Sequence, residues 1–177
     1  ACVTALGSLD GRSPVLRSGA RPGHVVAVAG TLGLAAAGWQ LLEAGNAGAH
    51  PQAVACQRRP TPPIRLGPAA AQAGASAMLD LSDGLLRDAA RLARASGVRL
   101  DLDTAALQPD VDRLVPALAP EQARECVLAG GEEHSLLATF PGGLPPGWRP
   151  VGRVSEGAGV TVGGHAQPPR GWDHFAG

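Results

Sequence analysis

Residues 77–88 read AMLDLSDGLLRD, which predicts a buried strand over Ala77–Leu81, a short turn and the start of a helix. The residues that follow have the clearest helical periodicity in the chain. Apolar residues share one face and charged residues the other (Leu85, Leu86, Ala89, Leu92 and Ala93 against Arg87, Asp88, Arg91 and Arg94). Gly97 stands where a helix C-terminal cap belongs. The segment therefore predicts a strand that turns directly into an amphipathic helix.

The end of this strand carries three polar side chains, Asp80, Ser82 and Asp83. In a strand Asp80 and Ser82 point to one side, and Asp83 falls at the turn into the helix. Two carboxylates three residues apart suit a hard cation such as Mg²⁺, and the free N–H groups of a helix N-terminus suit a phosphate. The alternative is that Ser82 or Asp83 only caps the helix while Asp80 is solvated. Both interpretations stay open on the local sequence.

Outward from this unit, short apolar runs alternate with Ala/Leu-rich stretches. The apolar runs predict strands at residues 24–29, 98–103, 135–140, 150–154 and 160–162, and the Ala/Leu-rich stretches predict helices at 34–44, 69–75, 111–118 and 120–128. Three prolines in residues 57–67 predict an extended connection there. The start of the chain, Cys2–Leu6, has the pattern of a further strand. Together these elements predict an α+β fold, a mixed β-sheet layered with helices.

Three further segments are candidates for ligand contacts. Residues 129–136 read AGGEEHSL, where two glycines allow close approach of a ligand and one glutamate could accept hydrogen bonds from an amine or an aminopyrimidine. A polar turn with solvated acids is the alternative. Arg17 and Arg21 lie in a loop of small residues and suit bidentate contacts to phosphate, although exposed arginines are common on any surface. Trp172 lies near the C-terminus, where an aromatic ring either packs on the core or stacks on a ligand.

The composition limits the classes of function. The 177 residues carry no net charge, which gives no support to nucleic-acid or anionic-membrane binding. Lysine is absent, so an anion must meet arginines, backbone N–H groups or metal ions. Three cysteines without paired spacing favour a reducing cytoplasm, and neither a signal peptide nor a membrane-spanning run is recognisable. Walker, hydrolase, Rossmann and zinc signatures are absent as well.

Taken in order, the motifs resemble the C-terminal half of thiamine-monophosphate kinase. The segments that carry the resemblance are LRSGARPG (16–23), VVAVAGTLG (25–33), RRPTPP (58–63), AMLDLSDGLLRD (77–88), ASGVRLDLD (95–103), GGEEHSLL (130–137) and GWDHF (171–175). Each motif is modest, but their shared order and spacing are specific. The wider superfamily includes aminoimidazole ribonucleotide synthetase, and the resemblance implies its C-terminal domain fold.

The resemblance also implies a reaction and a set of site residues. Members of the family transfer the γ-phosphate of ATP to thiamine monophosphate with Mg²⁺, by direct in-line attack, as cytoplasmic homodimers. Carried over motif by motif, Asp80 and Asp83 are expected to bind Mg²⁺, and Arg17 and Ser82 to contact ATP. Glu132, in the motif GGEEHSLL, and Trp172, in the motif GWDHF, are expected to contact thiamine monophosphate.

The same resemblance divides the chain. Residues 1–13 correspond to the end of a missing N-terminal ATP-binding domain, and residues 14–177 correspond to the C-terminal domain. Since that N-terminal half supplies most Mg²⁺ ligands in the family, the isolated chain is expected to have little or no kinase activity. Three departures from the family pattern, at His24, Leu34 and His134, bear on loop packing and substrate contacts.

Two other functions stay open on the sequence. One is an ATP-using member of the superfamily with a different acceptor. The other is a truncated, non-catalytic binding or assembly module, which would expose an apolar patch where the missing half docks.

Overall fold

A computed structural model of the chain describes residues 4, 6–9 and 11–172. Its seven strands are β1 (Val25–Ala29), β2 (Ala77–Leu81), β3 (Arg99–Leu102), β4 (Ser135–Phe140), β5 (Arg149–Ser155), β6 (Gly159–Val162) and β7 (His165–Gln167). Its six helices are α1 (Leu34–Glu43), α2 (Pro51–Arg58), α3 (Leu66–Gln72), α4 (Leu85–Ser96), α5 (Thr104–Leu114) and α6 (Pro120–Ala129). Among these helices the longest has 12 residues, and none is long and apolar enough to cross a membrane.

The strands form one sheet in the order β2-β4-β1-β5-β3-β6-β7. Every neighbouring pair is antiparallel except β3 and β6, which are parallel. The register of β2 on β4 pairs Asp80 with Leu136 and Leu81 with Ser135. This pairing lays the turn after β2 beside the loop that precedes β4. The mixed sheet with helices packed on it confirms the predicted α+β fold.

Apolar side chains cover both faces of the central strands. On one face Val26, Val28 and Leu137 belong to a large core that the sheet shares with α1, α4, α5 and α6. On the other face Phe140 and Trp148 belong to a smaller cluster that includes residues of α3. Because successive residues of a strand point to opposite faces, the alternation within β1 and β4 supplies both cores. The larger core fixes α4 and α6, the helices next to the candidate site.

The strongest sequence patterns predict the elements most closely. Strands β2 and β4 begin and end at the predicted residues. Helix α4 buries its apolar face, and Gly97 ends it in a left-handed conformation with φ of 67°. Strands β1, β3, β5 and β6 and helices α1 and α6 lie within one or two residues of their predicted bounds.

Other predictions need correction. Residues 57 and 58 are not extended but end α2, a helix that the sequence analysis missed. The side chain of His50 caps this helix by accepting a hydrogen bond from the Ala53 N–H at 3.2 Å. Proline is tolerated at position 51, the first residue of the helix, because an N–H there would have no partner within the helix. Helix α3 covers Leu66–Gln72 rather than 69–75.

Two more differences lie at α5 and β7. Helix α5 covers Thr104–Leu114 rather than 111–118, because the side chain of Asp103 accepts the Ala105 N–H and caps an earlier start. Strand β7 was not predicted at all. The predicted strand at residues 2–6 falls mostly outside the described residues.

Candidate functional site

The turn between β2 and α4 is fixed by a buried carboxylate. Asp88, inside the first turns of α4, accepts the backbone N–H of Asp83 at 2.9 Å. Arg91 Nη1 lies 2.6 Å from Asp88 Oδ1 and 2.5 Å from Asp83 Oδ2, so one guanidinium joins both acids. Burial raises the pKa of Asp88, although the Asp83 N–H and Arg91 act in the opposite direction. Asp83 is therefore an ion-paired, buried side chain and not a simple helix cap.

The loop at residues 130–134 packs against this turn through the backbone. The Glu132 N–H donates to the Ser82 carbonyl at 3.1 Å. A Cβ on Gly131 would lie 2.1 Å from the same carbonyl oxygen, and one on Gly84, whose φ is 119°, would lie 2.4 Å from the Ala129 carbonyl oxygen. Only glycine allows approaches this close. The two segments singled out in the sequence are thus brought into direct contact.

The two adjacent glutamates of this loop have different surroundings. Glu132 is exposed, with a left-handed φ of 74°. Glu133 is buried, and its Oε1 accepts the Ala35 N–H at 3.3 Å at the start of α1. Burial raises the pKa of Glu133 to about 7, with hydrogen bonds from the Ala35 and Leu34 N–H groups opposing the rise. A turn with two solvated acids is therefore excluded, because Glu133 anchors the loop to α1.

Asp80 and His134 lie together at the exposed edge of the same region. His134 Nδ1 is 3.4 Å from Asp80 Oδ2, and both side chains are partly or largely exposed. His134 also adopts a left-handed φ, of 53°. Left-handed backbone at two non-glycine residues of one loop is uncommon, and such strain concentrates at functional sites.

A cavity of about 680 Å³ lies where these segments meet. Four of the six predicted site residues line it or lie at its wall: Ser82, Asp83, Glu132 and Trp172. The backbone N–H of Trp172 donates to the Asp83 carbonyl at 2.9 Å, which attaches the segment around residue 172 to the turn. A volume of this size suits a small organic ligand.

The other two predicted residues lie elsewhere. Asp80 is on the strand that leads to the turn, but it is not part of the cavity lining. Arg17 is exposed, and its segment runs beside β2, where the Leu16 carbonyl accepts the Met78 N–H at 3.2 Å. The Arg17 carbonyl accepts a bond from Ser96 Oγ at 2.7 Å, so this backbone is held while its guanidinium reaches solvent.

Sequence reasoning missed Trp39, which lines the cavity from α1. Its neighbours Ala37, Gly38 and Leu41 are buried, whereas Trp39 is 53% exposed. A large aromatic residue off the buried face of its helix was the signal that could have identified it.

The donor chemistry fits Mg²⁺ in part. Among the described residues no three His, Cys, Asp or Glu side chains converge as a metal site. Mg²⁺ usually keeps waters and binds one or two carboxylates together with substrate phosphates. Asp80 and Asp83 supply two such carboxylates on one strand–turn segment, with Asp83 also bound to Arg91. Each is a donor of the type that suits a cation also coordinated by phosphate, and the described residues do not form a complete protein cage.

Comparison with known proteins gives consistent matches. The family described as AIR synthase related protein, C-terminal domain, matches residues 21–165. The thiamine-monophosphate kinase of Mycobacterium tuberculosis (strain ATCC 25618 / H37Rv) is 48% identical over 181 residues, covering 99% of this chain and 52% of that protein.

Solved structures agree in fold. AaThiL complexed with AMPPCP and TMP has a TM-score of 0.79 at 34% identity, covering 91% of this chain and 54% of that one. Thiamine monophosphate kinase from Aquifex aeolicus has a TM-score of 0.77 at 32% identity, covering 88% and 55%.

These matches confirm the resemblance read from the motifs, and they also set its extent. The chain spans about half the length of the curated relatives it matches. The family match covers most of the chain, from the residues before β1 to the start of β7. The chain belongs to the family of AIR synthase related proteins and corresponds to their C-terminal domain.

Proposed function

We propose that this chain is the C-terminal half of a thiamine-monophosphate kinase, which transfers the γ-phosphate of ATP to thiamine monophosphate and forms thiamine diphosphate. One observation carries the proposal: Ser82, Asp83, Glu132 and Trp172, chosen from three separate motifs, line a single cavity. The relatives named for this activity cover the chain almost completely.

The cavity supports binding of thiamine monophosphate. Glu132 is exposed at its wall, and its side chain makes no hydrogen bond or ion pair with the described residues. A carboxylate in this state can accept hydrogen bonds from the aminopyrimidine of thiamine. Trp172 offers an aromatic surface at the same wall, and its backbone N–H bonds to the Asp83 carbonyl.

The neighbouring turn supports binding of phosphate. Ser82 and Arg17 are the proposed contacts to ATP, Ser82 at the cavity wall and Arg17 from the exposed segment beside β2. Asp80 and Asp83 are the proposed Mg²⁺ ligands, and Mg²⁺ bound there would neutralise phosphate charge during transfer.

The contribution of this chain to catalysis would be positioning. In-line phosphoryl transfer needs the acceptor phosphate aligned with the γ-phosphate, and little covalent chemistry falls to the protein. The backbone contacts between the turn at 82–84 and the loop at 130–132 hold Ser82 and Glu132 in a fixed relation. The acceptor and the nucleotide would therefore be bound on one rigid unit.

The complete enzyme would need more than this chain. Because the chain spans about half of its relatives, we propose that an N-terminal ATP-binding half completes the site and that the full-length protein is a homodimer. The free thiols of Cys56 and Cys126 support a reducing, cytoplasmic setting.

The test is a transfer assay on the full-length polypeptide that contains this chain. With ATP, Mg²⁺ and thiamine monophosphate, we expect ADP and thiamine diphosphate in equal amounts. The isolated 177-residue chain is expected to give little or no product. ADP formation only with another acceptor would favour the second superfamily function, and thiamine monophosphate binding without turnover would favour a non-catalytic module.

A further inference from the structure

Two of the three tryptophans are kept at the cavity and out of the core. Trp148 is 7% exposed and packs edge-to-face on Phe140, with ring centroids 5.3 Å apart. Trp39 and Trp172 are 53% and 63% exposed, and both line the cavity of about 680 Å³. Leaving two indoles largely exposed at one concave surface forgoes the free energy of burying them, and such surfaces mark binding sites.

The cavity that these tryptophans line is acidic. Asp83, Glu125 and Glu132 contribute to its lining, whereas no arginine belongs to the described residues that form it. Asp83 is paired with Arg91 and Glu125 with Arg170, so Glu132 is the acid there without an ion pair among the described residues. An indole surface beside a carboxylate is suited to a positively charged aromatic ring, because the cation is attracted to the face of the indole.

Trp39 is presented by a helix that is fixed on both sides of it. On the preceding residue, Gly38, a Cβ would lie 2.1 Å from the Ala53 carbonyl oxygen, so α1 and α2 touch through the backbone. On the following residue, Gln40 Nε2 donates to Cys126 Sγ of α6 at 3.4 Å. Since the backbone on either side is held, little backbone conformational entropy is lost when the Trp39 ring contacts a ligand.

We propose that Trp39 is a substrate-binding residue that, with Trp172, binds the positively charged thiazolium ring of thiamine monophosphate. The inference rests on the proposed function and adds to it a residue and a recognition chemistry. Glu132, at the same wall, then binds the pyrimidine end of the substrate.

The test uses Trp39→Phe, Trp39→Leu and Trp39→Ala in the full-length polypeptide, with KM and kcat measured for each substrate. Alanine and leucine are expected to raise the KM for thiamine monophosphate about tenfold, with the KM for ATP and kcat within about twofold of wild type. Phenylalanine keeps an aromatic face and is expected to stay within about threefold. Ile64→Ala, at an exposed apolar residue outside the cavity lining, is the control and is expected to change nothing.

A second measurement isolates the contribution of charge. In the deaza analogue of thiamine monophosphate the thiazolium is replaced by a neutral thiophene ring. We expect Trp39→Ala to weaken binding of this analogue, measured as a competitive inhibition constant, by less than threefold. An equal loss for both compounds would overturn the cation–π assignment.

The outcomes separate the two proposals. If the wild-type protein phosphorylates thiamine monophosphate and Trp39→Ala leaves its KM unchanged, the Trp39 proposal is overturned while the proposed function stands. The Trp39 proposal is also overturned if the KM for ATP rises as much as the KM for thiamine monophosphate. It is overturned as well if thermal unfolding shows that Trp39→Ala is no longer folded while Trp39→Leu has the wild-type KM for thiamine monophosphate. A wild-type protein that does not accept thiamine monophosphate overturns the proposed function, and the Trp39 proposal with it.

Discussion

The side chain of Asp88 accepts a hydrogen bond from the backbone N–H of Asp83 at 2.9 Å. A carboxylate from inside helix α4 therefore holds the turn that precedes the helix. Most helices are capped by a side chain just before their first turn, and here Gly84 at that position has no side chain to offer. The carboxylate that holds this turn comes instead from inside the helix, and the residue at the close approach to Ala129 is a glycine.

Removing this carboxylate is expected to destabilise the fold. Asp88→Ala leaves the Asp83 N–H without its acceptor and removes one of the two acids that Arg91 binds, so we expect a loss of about 2–3 kcal/mol in the free energy of unfolding. Asp88→Asn retains an oxygen acceptor and should lose roughly half as much. Urea denaturation of the 177-residue chain measures both, and equal losses for the two variants would contradict the role of the hydrogen bond.

Glu133 is expected to make stability fall as pH rises. Its pKa is raised by burial to about 7 in the folded chain, from an ordinary value near 4.5, so the folded state binds the proton more tightly than the unfolded state. The protonated carboxyl therefore stabilises the fold fully below about pH 4.5, and that contribution is lost as pH rises through 7. Its upper limit is roughly 3 kcal/mol, from the size of the shift.

The measurement is the urea midpoint of the chain between pH 5 and pH 8. Glu133→Gln does not titrate, and its amide oxygen can still accept the Ala35 N–H, so the slope with pH should be reduced. Glu132→Gln, at the exposed neighbour, is the matched control and should keep the wild-type slope. A Glu133→Gln variant as pH-dependent as the wild type would show that another group is responsible.

The close approach at Gly84 predicts a large cost for the smallest side chain. Gly84→Ala brings a Cβ to 2.4 Å from the Ala129 carbonyl oxygen and also strains a φ of 119°. Gly74→Ala is the control, because its φ of 82° is strained but nothing lies within 4 Å of the added Cβ. We expect Gly74→Ala to cost about 1 kcal/mol and Gly84→Ala at least about 2 kcal/mol more, measured by thermal unfolding. Similar costs would mean that the clash is relieved without disturbing the turn.

Asp80 is expected to affect the Mg²⁺ requirement and not the fold. In the full-length polypeptide, Asp80→Asn should raise the Mg²⁺ concentration for half-maximal activity at least about tenfold, because one of the two carboxylates that we propose as Mg²⁺ ligands from this chain is lost. The exposed Asp112, which bonds only to Gln108 among the contacts seen, provides the control Asp112→Asn. Unchanged Mg²⁺ dependence in Asp80→Asn would remove it from the metal assignment.

Sequence patterns were informative where the local signal and the tertiary environment agree. The alternation of β2 and β4 and the apolar face of α4 with its terminal Gly97 specify those elements almost to the residue. Helix α2 escaped prediction because its support is tertiary: it packs on α1, where Gly38 allows the Ala53 carbonyl to approach. Its proline-rich surroundings favour an extended chain when considered alone.

Tertiary contacts also limited what the sequence could show about the candidate site. The motifs identified Ser82, Asp83, Glu132 and Trp172, but spacing along the chain could not show that one hydrogen bond joins the Ser82 carbonyl to the Glu132 N–H. Nor could it separate the exposed Glu132 from the buried Glu133, since the distinction depends on where α1 begins. Trp39 lay outside every motif, and only its exposure beside the cavity identified it.

The contact between Gly131 and the Ser82 carbonyl has a consequence for how such a site can diversify. Because main-chain atoms at glycines set the distance between the two loops, the frame of the cavity does not depend on which side chains project from it. The side chains of Trp39 and Glu132 are exposed and take no part in that frame, so exchanges there change what the cavity accepts without moving its walls. Laboratory evolution toward new acceptors should therefore concentrate its variation at these two positions and leave the glycines untouched.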